Sequence, residues 1–252
     1  MGLVSWSATA AVEVSLVIPA FNEVERLGEN LGLIVDFLEQ GRESYEVIVV
    51  DDGSSDGTGQ MVQARYGYHP HVRLWRHARN EGKGQAVKQG VLMARGTYVV
   101  FSDADLSVPV DTLPLFLDLL ARHECDVAVG SRQSPGAVIE VPQPVYRRVL
   151  GGAYSRMSRG MLRLTVSDVT CGFKAFRGSV AKDLFTRQRL KDWSFDSEIL
   201  FLARCRGYRV LEIPVRWRDD RATKVKLPRD IVRSLGGLMR IRLNALLGRY
   251  GA

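Results

Sequence analysis

Five short runs rich in β-branched and aromatic residues punctuate the first half of the chain, at Val14 to Ile18, Glu46 to Val50, Val72 to Trp75, Tyr98 to Phe101 and Asp126 to Val129. Amphipathic stretches separate them. Between the first two, Val24, Leu27, Leu31, Ile34, Val35 and Leu38 recur at helical spacing with Asn22 placed as a cap. Further helices fit Thr58 to Tyr66, Gly84 to Ala94 and Thr112 to Arg122. Strand and helix in alternation confine the chain to an α/β fold with a mostly parallel central sheet covered on both faces. Open sheets of this kind bind ligands beyond the carboxyl ends of their strands, so function is expected in the residues that follow each strand.

Those ends read Pro19-Ala20-Phe21-Asn22-Glu23, Asp51 to Thr58 (DDGSSDGT), Asn80 to Gly84 (NEGKG) and Ser102-Asp103-Ala104-Asp105. Asp, Asn, Ser and Gly favour turns and caps for local reasons, which explains any one of these segments. Four in succession on one rim point to a binding site. The last is the sharpest, because side chains two apart on an extended chain point to the same side, placing two carboxylates about 7 Å apart at the backbone. A divalent cation, solvation at a strand end or a helix N-terminus would each neutralise the pair. Hard oxygen ligands beside Gly-rich, Lys-bearing loops suit Mg²⁺ or Mn²⁺ bridging to a diphosphate. Gly82 and Gly84 open a helix whose N-terminus attracts anions, and Lys83 adds charge. The stretch GKGQAV is not a dinucleotide fingerprint, and DGSSDG fails as a calcium loop because a strand precedes it and Gln63 stands where a bidentate Glu is needed.

Composition narrows the partners. The net charge of +7 is concentrated in residues 203–252, which hold thirteen Lys/Arg against four Asp/Glu. That asymmetry points to an anionic partner, whether nucleic acid, phospholipid or a phosphorylated substrate, or else to a basic solvated face. No run of eighteen apolar residues and no leader pattern is present. Cys125, Cys171 and Cys205 lack CxxC spacing and suit reduced thiols in a cytoplasmic protein. In the second half an Arg-bearing segment from Tyr146 to Arg163 precedes DVTCGFKAFR, followed by a helix from Ser197 to Arg206 and a strand from Arg209 to Val215. The tail from Asp230 to Arg249 places Ile231, Leu235, Leu238, Met239, Leu243, Leu246 and Leu247 on one side, opposite Arg233, Arg240 and Asn244. It either packs on the domain or lies on an anionic membrane surface, and Gly236 and Gly237 weaken its helical character.

The order PAFNE, VVDDGSSDGT, NEGKGQA, SDADLSVP, GSR, DVTCGFKAFR, WSFDSEILFLA and ATKVKLPRD resembles the family 2 glycosyltransferases of the GT-A fold, over roughly residues 12–230. Within them it is most similar to the dolichyl-phosphate and polyprenyl-phosphate β-glucosyltransferases. The resemblance implies one catalytic domain over residues 1–229, with a nucleotide-sugar half at about 12–131 and an acceptor half at about 132–229, followed by a basic amphipathic tail at 230–252. It implies that Pro19, Ala20, Asn22, Glu23 and Ala104 line the nucleotide-sugar pocket, that Asp52 bonds the base, and that Gly82 and Lys83 approach the nucleotide. Asp103 and Asp105 would form the DxD site for Mg²⁺ or Mn²⁺, and Asp105, Asp196 and Lys83 would serve catalysis. Arg132 and one of Arg147 or Arg148 would hold the acceptor phosphate, as charge logic also favours, since a guanidinium fork suits phosphate. Asp196 and Glu198 are open among proton acceptor, ligand orienter and cap of their helix.

The implied reaction is an inverting transfer of glucose from UDP-glucose to a polyprenyl or dolichyl phosphate, on the cytoplasmic face of a membrane. GDP-mannose as donor and a soluble acceptor are the alternatives, because the base-contacting side chains do not separate uracil from guanine. Two departures stand out. Many relatives carry transmembrane helices, so here the basic tail, oligomerisation or a membrane-protein partner would give membrane access. Ser107 replaces a further metal-contacting side chain of the mannosyl cousins. A nucleotidyltransferase would present a GxG-x-R signature after the first strand, and a nucleic-acid binder would leave the acidic rim unexplained.

Overall fold

The computed structural model describes residues 12–41, 44–220 and 227–251, with side chains omitted for 227–232. The N-terminal stretch read above for a leader, part of the ATKVKLPRD motif and Ile231 therefore lie outside the described residues or side chains. The first half follows the alternation of its sequence: β1 (Val14–Ala20), α1 (Val24–Gln40), β2 (Tyr45–Asp51), α2 (Thr58–Tyr66), β3 (Val72–Arg76), α3 (Lys83–Met93), β4 (Tyr98–Ser102), α4 (Leu113–Ala121) and β5 (Val127–Ser131). The predicted start of α4 at Thr112 is instead a 3₁₀ turn over Val110–Thr112.

The second half contains elements that the sequence pattern did not reveal. These are β6 (Val138–Val141), α5 (Val145–Leu162), β7 (Phe173–Arg177), α6 (Gly178–Arg187) and β9 (Arg216–Arg218). The two expected elements are present as α7 (Phe195–Cys205) and β8 (Val210–Pro214), and the tail forms α8 (Leu227–Leu246). The main sheet runs β3-β2-β1-β4-β7-β5-β8, with β6 and β9 in a separate parallel pair. Strand β7 is antiparallel to both neighbours, from Tyr98↔Arg177 to Ser102↔Phe173 on one side and from Val127↔Phe176 on the other.

Both faces of the sheet are covered, as period-2 burial requires. Val17, Val99, Phe101, Val127 and Phe176 pack under α3, α6 and α7, with Leu238 and Ile241 of α8 in the same core. Their neighbours Leu16, Ile18, Val47, Val100 and Phe173 pack under α1, α2 and α4. Helix α1 forms because Leu27, Leu31, Ile34, Val35 and Leu38 make one buried stripe, each fully buried side chain contributing about 1.5–3 kcal/mol. Its N-cap is Glu23, not Asn22. Asn22 instead adopts a left-handed φ of 55°, which Asn tolerates, and its Oδ1 accepts the Ser55 amide at 2.8 Å.

The outward side of α8 also differs from the expected division. Leu238 and Ile241 turn inward with Asn244, whereas Met239, Leu243, Leu246 and Leu247 are exposed. Gly237 does not break the helix. A Cβ there would overlap Ser194, so glycine permits α8 to approach the start of α7.

Candidate active site

Strand β1 pairs with β2 along its full length, but with β4 only from Val14↔Tyr98 to Val17↔Phe101. Beyond Val17 the two strands part, at the point where the chain order changes direction, which is where open sheets bind ligands. Pro19 and Ala20 lie beyond the end of the β1–β4 ladder while still paired with β2. The missing N–H of Pro19 costs the β4 side no ladder bond.

Asp103 and Asp105 come together for a different reason from the one expected. Strand β4 stops at Ser102, and the two residues lie in a turn closed by the Leu106 amide donating to the Asp103 carbonyl at 3.2 Å. Leu106 takes φ 47°, an uncommon conformation for a bulky residue. The Ser107 amide donates to Asp105 Oδ1 at 2.9 Å, so Ser107 orients a candidate ligand through its backbone. Asn30 Nδ2 holds the Ala104 carbonyl at 2.8 Å, and the Asp103 amide donates to Gly172 O at 3.2 Å. A Cβ at Gly172 would overlap the Asp103 carboxylate, which explains the glycine of DVTCGFKAFR. Burial, reinforced by the Asp103 charge, pushes the Asp105 carboxyl above its ordinary range.

Lys83 closes the crevice from α3, with Nζ 2.7 Å from Asp103 Oδ1. Burial alone would lower its pKa, but Asp103, Asp196 and Asp105 together raise it. Gly82 has φ 107° and ψ 150°, a conformation essentially reserved for glycine, and a Cβ there would overlap the Lys191 carbonyl. Asp52 organises this turn. Its carboxylate takes His77 Nδ1 at 2.7 Å, the Glu81 amide at 2.9 Å and the Gly82 amide at 2.8 Å. Glu23 Oε2 pairs with Arg26 at 3.0 Å, and Arg26 in turn with Asp220 at 2.6 Å.

Beneath Lys83 the charges continue into the protein. Asp196 Oδ1 accepts from Lys174 Nζ at 2.5 Å, and Lys174 is fully buried, also donating to Cys171 O at 2.6 Å. Burial pushes Asp196 up while Lys174 and Lys83 pull it back. The exposed indole of Trp193 has its ring centre 4.8 Å from Lys83 Nζ. Lys174, Asn30 and Trp193 had not been singled out. A lysine inside an apolar strand, FKAFR, was the available signal, because such a residue needs a buried carboxylate.

The acceptor-side arginines divide. Arg132 is gripped by the fully buried Asp168 through Nε at 2.6 Å and Nη2 at 2.7 Å, with Thr170 Oγ1 at 3.0 Å. Asp168 is itself fixed by its amide donating to Glu212 at 2.8 Å. This geometry leaves Nη1 as the remaining donor edge of Arg132, within electrostatic reach of Asp103. Arg147 is partly buried, 4.0 Å from Asp219, and its Nε has no partner. Arg148 is exposed. The structure thus separates the two residues that the sequence had left equivalent.

The donor set fits a hard divalent cation. Asp103 and Asp105 lie two residues apart in one turn, burial and the Asp103 charge raise Asp105, and the absence of a Cβ at Gly172 lets the Asp103 carboxylate take its place. Among the described residues no group of three acidic, histidine or cysteine side chains is arranged to hold a metal, so phosphate and water would complete the coordination. A cavity of about 530 Å³ beside Arg95, Arg177 and Lys182 lies at the opposite end of β4, away from these groups.

Residues 15–185 match the model of glycosyl transferase family 2. Glycosyltransferase AglD of Haloferax volcanii is 34% identical over 229 residues, covering 90% of this chain and 36% of that protein. The chain thus spans about a third of the AglD length. The dolichyl-phosphate β-glucosyltransferase of Saccharomyces cerevisiae is 31% identical over 257 residues, covering 94% of this chain and 76% of its own. Among solved structures, glucosyl-3-phosphoglycerate synthase from Mycobacterium tuberculosis in complex with Mn²⁺, uridine diphosphate and phosphoglyceric acid superposes with a TM-score of 0.65 at 19% identity, covering 95% of this chain and 79% of that one. The chain belongs to glycosyltransferase family 2, has the GT-A fold and is a hexosyltransferase.

Proposed function

We propose that this enzyme transfers glucose from UDP-glucose to the phosphate of a polyprenyl or dolichyl lipid, with inversion at the anomeric carbon. The observation that carries the reading is the ion pair of Lys83 with Asp103 in the turn that follows β4, beside the point where β1 and β4 part. The names of several relatives support the sugar and the acceptor, since they are dolichyl-phosphate β-glucosyltransferases.

Asp103 and Asp105 would hold a Mg²⁺ or Mn²⁺ ion, which supplies neutralising charge to the leaving diphosphate. The lining residues do the rest. Pro19, Ala20, Asn22, Glu23, Asp52, Gly82 and Ala104 shape the nucleotide-sugar wall, Asp52 by fixing the turn at Gly82. Lys83 and the free amides at the start of α3 offset charge on the diphosphate. Arg132 and Arg147 bind the acceptor phosphate, Arg132 through Nη1 and Arg147 through its guanidinium, and Arg148 draws the lipid headgroup in. The phosphate oxygen attacks the anomeric carbon as the bond to the diphosphate breaks, the electron pair leaving with UDP. A phosphate monoester is largely ionised near neutral pH, its second pKa being about 6, so no general base is required. Asp196, committed to Lys174, positions Lys83 rather than taking a proton.

The enzyme works peripherally on the cytoplasmic side of an anionic membrane. Val145, Val149 and Met157 form an outward apolar stripe on α5, and Met239, Leu243 and Leu246 form another on α8, continued by Leu247 just past its end; α8 packs on α5. Exposed Arg148, Arg156, Arg240 and Arg242 border them. No helix among the described residues is long and apolar enough to cross a membrane. The test of the donor is transfer of radiolabel from UDP-glucose, GDP-mannose and UDP-N-acetylglucosamine to a short polyprenyl phosphate with Mg²⁺ or Mn²⁺. Label should reach lipid from UDP-glucose and fall about a hundredfold or more in Asp105→Ala. A preference for GDP-mannose would overturn the donor assignment.

A further inference from the structure

Glu198 is fully buried in the first turn of α7, and its carboxylate is surrounded by donors. Oε2 accepts the amides of Arg189 at 3.1 Å and Leu190 at 2.8 Å, and Oε1 accepts the Tyr250 hydroxyl at 2.7 Å. Burial pushes this carboxyl up, and these three donors, which require an acceptor, oppose it. Tyr250 reaches the site because the chain hooks back after α8. Gly248 takes φ 63°, the Arg249 amide donates to Asn244 O at 2.9 Å, Arg189 Nε donates to Arg249 O at 2.8 Å and Arg187 Nη1 donates to Tyr250 O at 2.6 Å.

The loop that Glu198 holds lies directly on the nucleotide turn. Gln188 Nε2 donates to Gly84 O at 2.8 Å, the Gln85 amide donates to Lys191 O at 3.2 Å, and Lys191 Nζ pairs with Glu81 at 2.7 Å. The same loop carries Trp193 to Lys83. We infer that Glu198 and Tyr250 are positioning residues for the donor site: the terminal hook, through Glu198, sets the loop from Gln188 to Ser194 against the Gly82-Lys83-Gly84 turn. This makes the segment that follows α8 part of the donor-binding machinery, and rests on the reading that this turn takes a nucleotide. Neither residue touches the reacting atoms. The linkage also ties the helix that bears the outward apolar stripe to the loop over Lys83.

Hydrogen exchange on the intact protein tests the inference without any ligand. In Tyr250→Phe, which removes one oxygen atom, the hydrogen-bonded amides of Arg189, Leu190, Gln85 and Ala86 should exchange about tenfold faster, the loss expected for one hydrogen bond to a charged group, while those of α1 stay unchanged. Acceleration confined to residues 247–251 would overturn it. Glu198→Gln, which keeps an acceptor for the loop amides, should lie close to wild type, and Glu198→Ala should exceed Tyr250→Phe. Should Glu198→Ala not fold, the Tyr250→Phe result alone decides. In turnover, Tyr250→Phe should raise the donor KM about tenfold and leave the acceptor KM unchanged. A uniform loss of kcat with donor KM unchanged would mark a merely structural role. Failure of lipid transfer by the wild type would refute the proposed reaction and leave the exchange result as the decisive reading of the latch.

Discussion

Asp168 illustrates how much a site side chain depends on one it does not resemble. It has no exposed surface, and its charge exists to orient Arg132. Burial would raise its pKa, but the Arg132 guanidinium holds it below the ordinary carboxylate value of 3.8. A depressed folded pKa means that this contribution is complete above pH 3.8 and is lost as pH falls through the lower folded value. Asp168→Asn should therefore cost about 3–5 kcal/mol at neutral pH, since it strands a buried guanidinium, and should flatten the acid limb of stability below pH 3.8. Denaturant melts from pH 2 to 7 would show both effects; equal stabilities at pH 7 would refute them. The sequence made the identities of Asp103, Asp105 and Lys83 legible because each follows a strand. It did not reveal their geometry, since strand alternation was the wrong reason for the proximity of the carboxylates. The turn at Leu106 depends on Asn30 and Gly172, which are distant in sequence. Nor does anything local to Asp196 foretell Lys174.

Strand β7 and helix α8 show the same division among longer segments. The first half was readable because β1, β2, β4 and β5 are buried almost throughout and α1 has a single apolar stripe, so local pattern and burial agree. Strand β7 is short, carries Lys174 as its second residue and runs against its neighbours, and its segment was read as a motif instead of a strand. Helix α5 shows only Ser155, Ser158 and Leu162 buried, too polar a stripe to announce a helix. In α8 the glycine pair weakened the expectation of a helix, yet Gly237 is required where the helix meets Ser194. Gly237→Val should therefore destabilise the protein by about 1–3 kcal/mol through overpacking, despite the better helix propensity of almost any side chain over glycine. Gly236→Ala, at a position with open space, should be neutral or stabilising. Thermal melts of the pair would separate packing from propensity, and a Gly237→Val protein as stable as Gly236→Ala would contradict the packing account.

Across the protein, the acidic crevice and the outward apolar stripes lie on connected elements. The acidic crevice opens at the carboxyl ends of β1 and β4, Arg147 and Arg148 stand at the start of α5, and α5 and α8 carry apolar stripes outward. The charge asymmetry of the sequence indicated an anionic partner, but the pairing of two stripes was invisible there because α5 and α8 are far apart in the chain. An acceptor with an ionised head and a long apolar tail satisfies both features. The most direct test presents two acceptors at equal concentration with UDP-glucose and Mn²⁺: a polyprenyl phosphate in anionic vesicles and a soluble phosphorylated acid such as 3-phosphoglycerate. Glucose should appear on the lipid phosphate, with the soluble acid labelled at least about a hundredfold more slowly, a difference of roughly 2.7 kcal/mol in transition-state stabilisation. Equal labelling, or label on the soluble acid alone, would contradict the account.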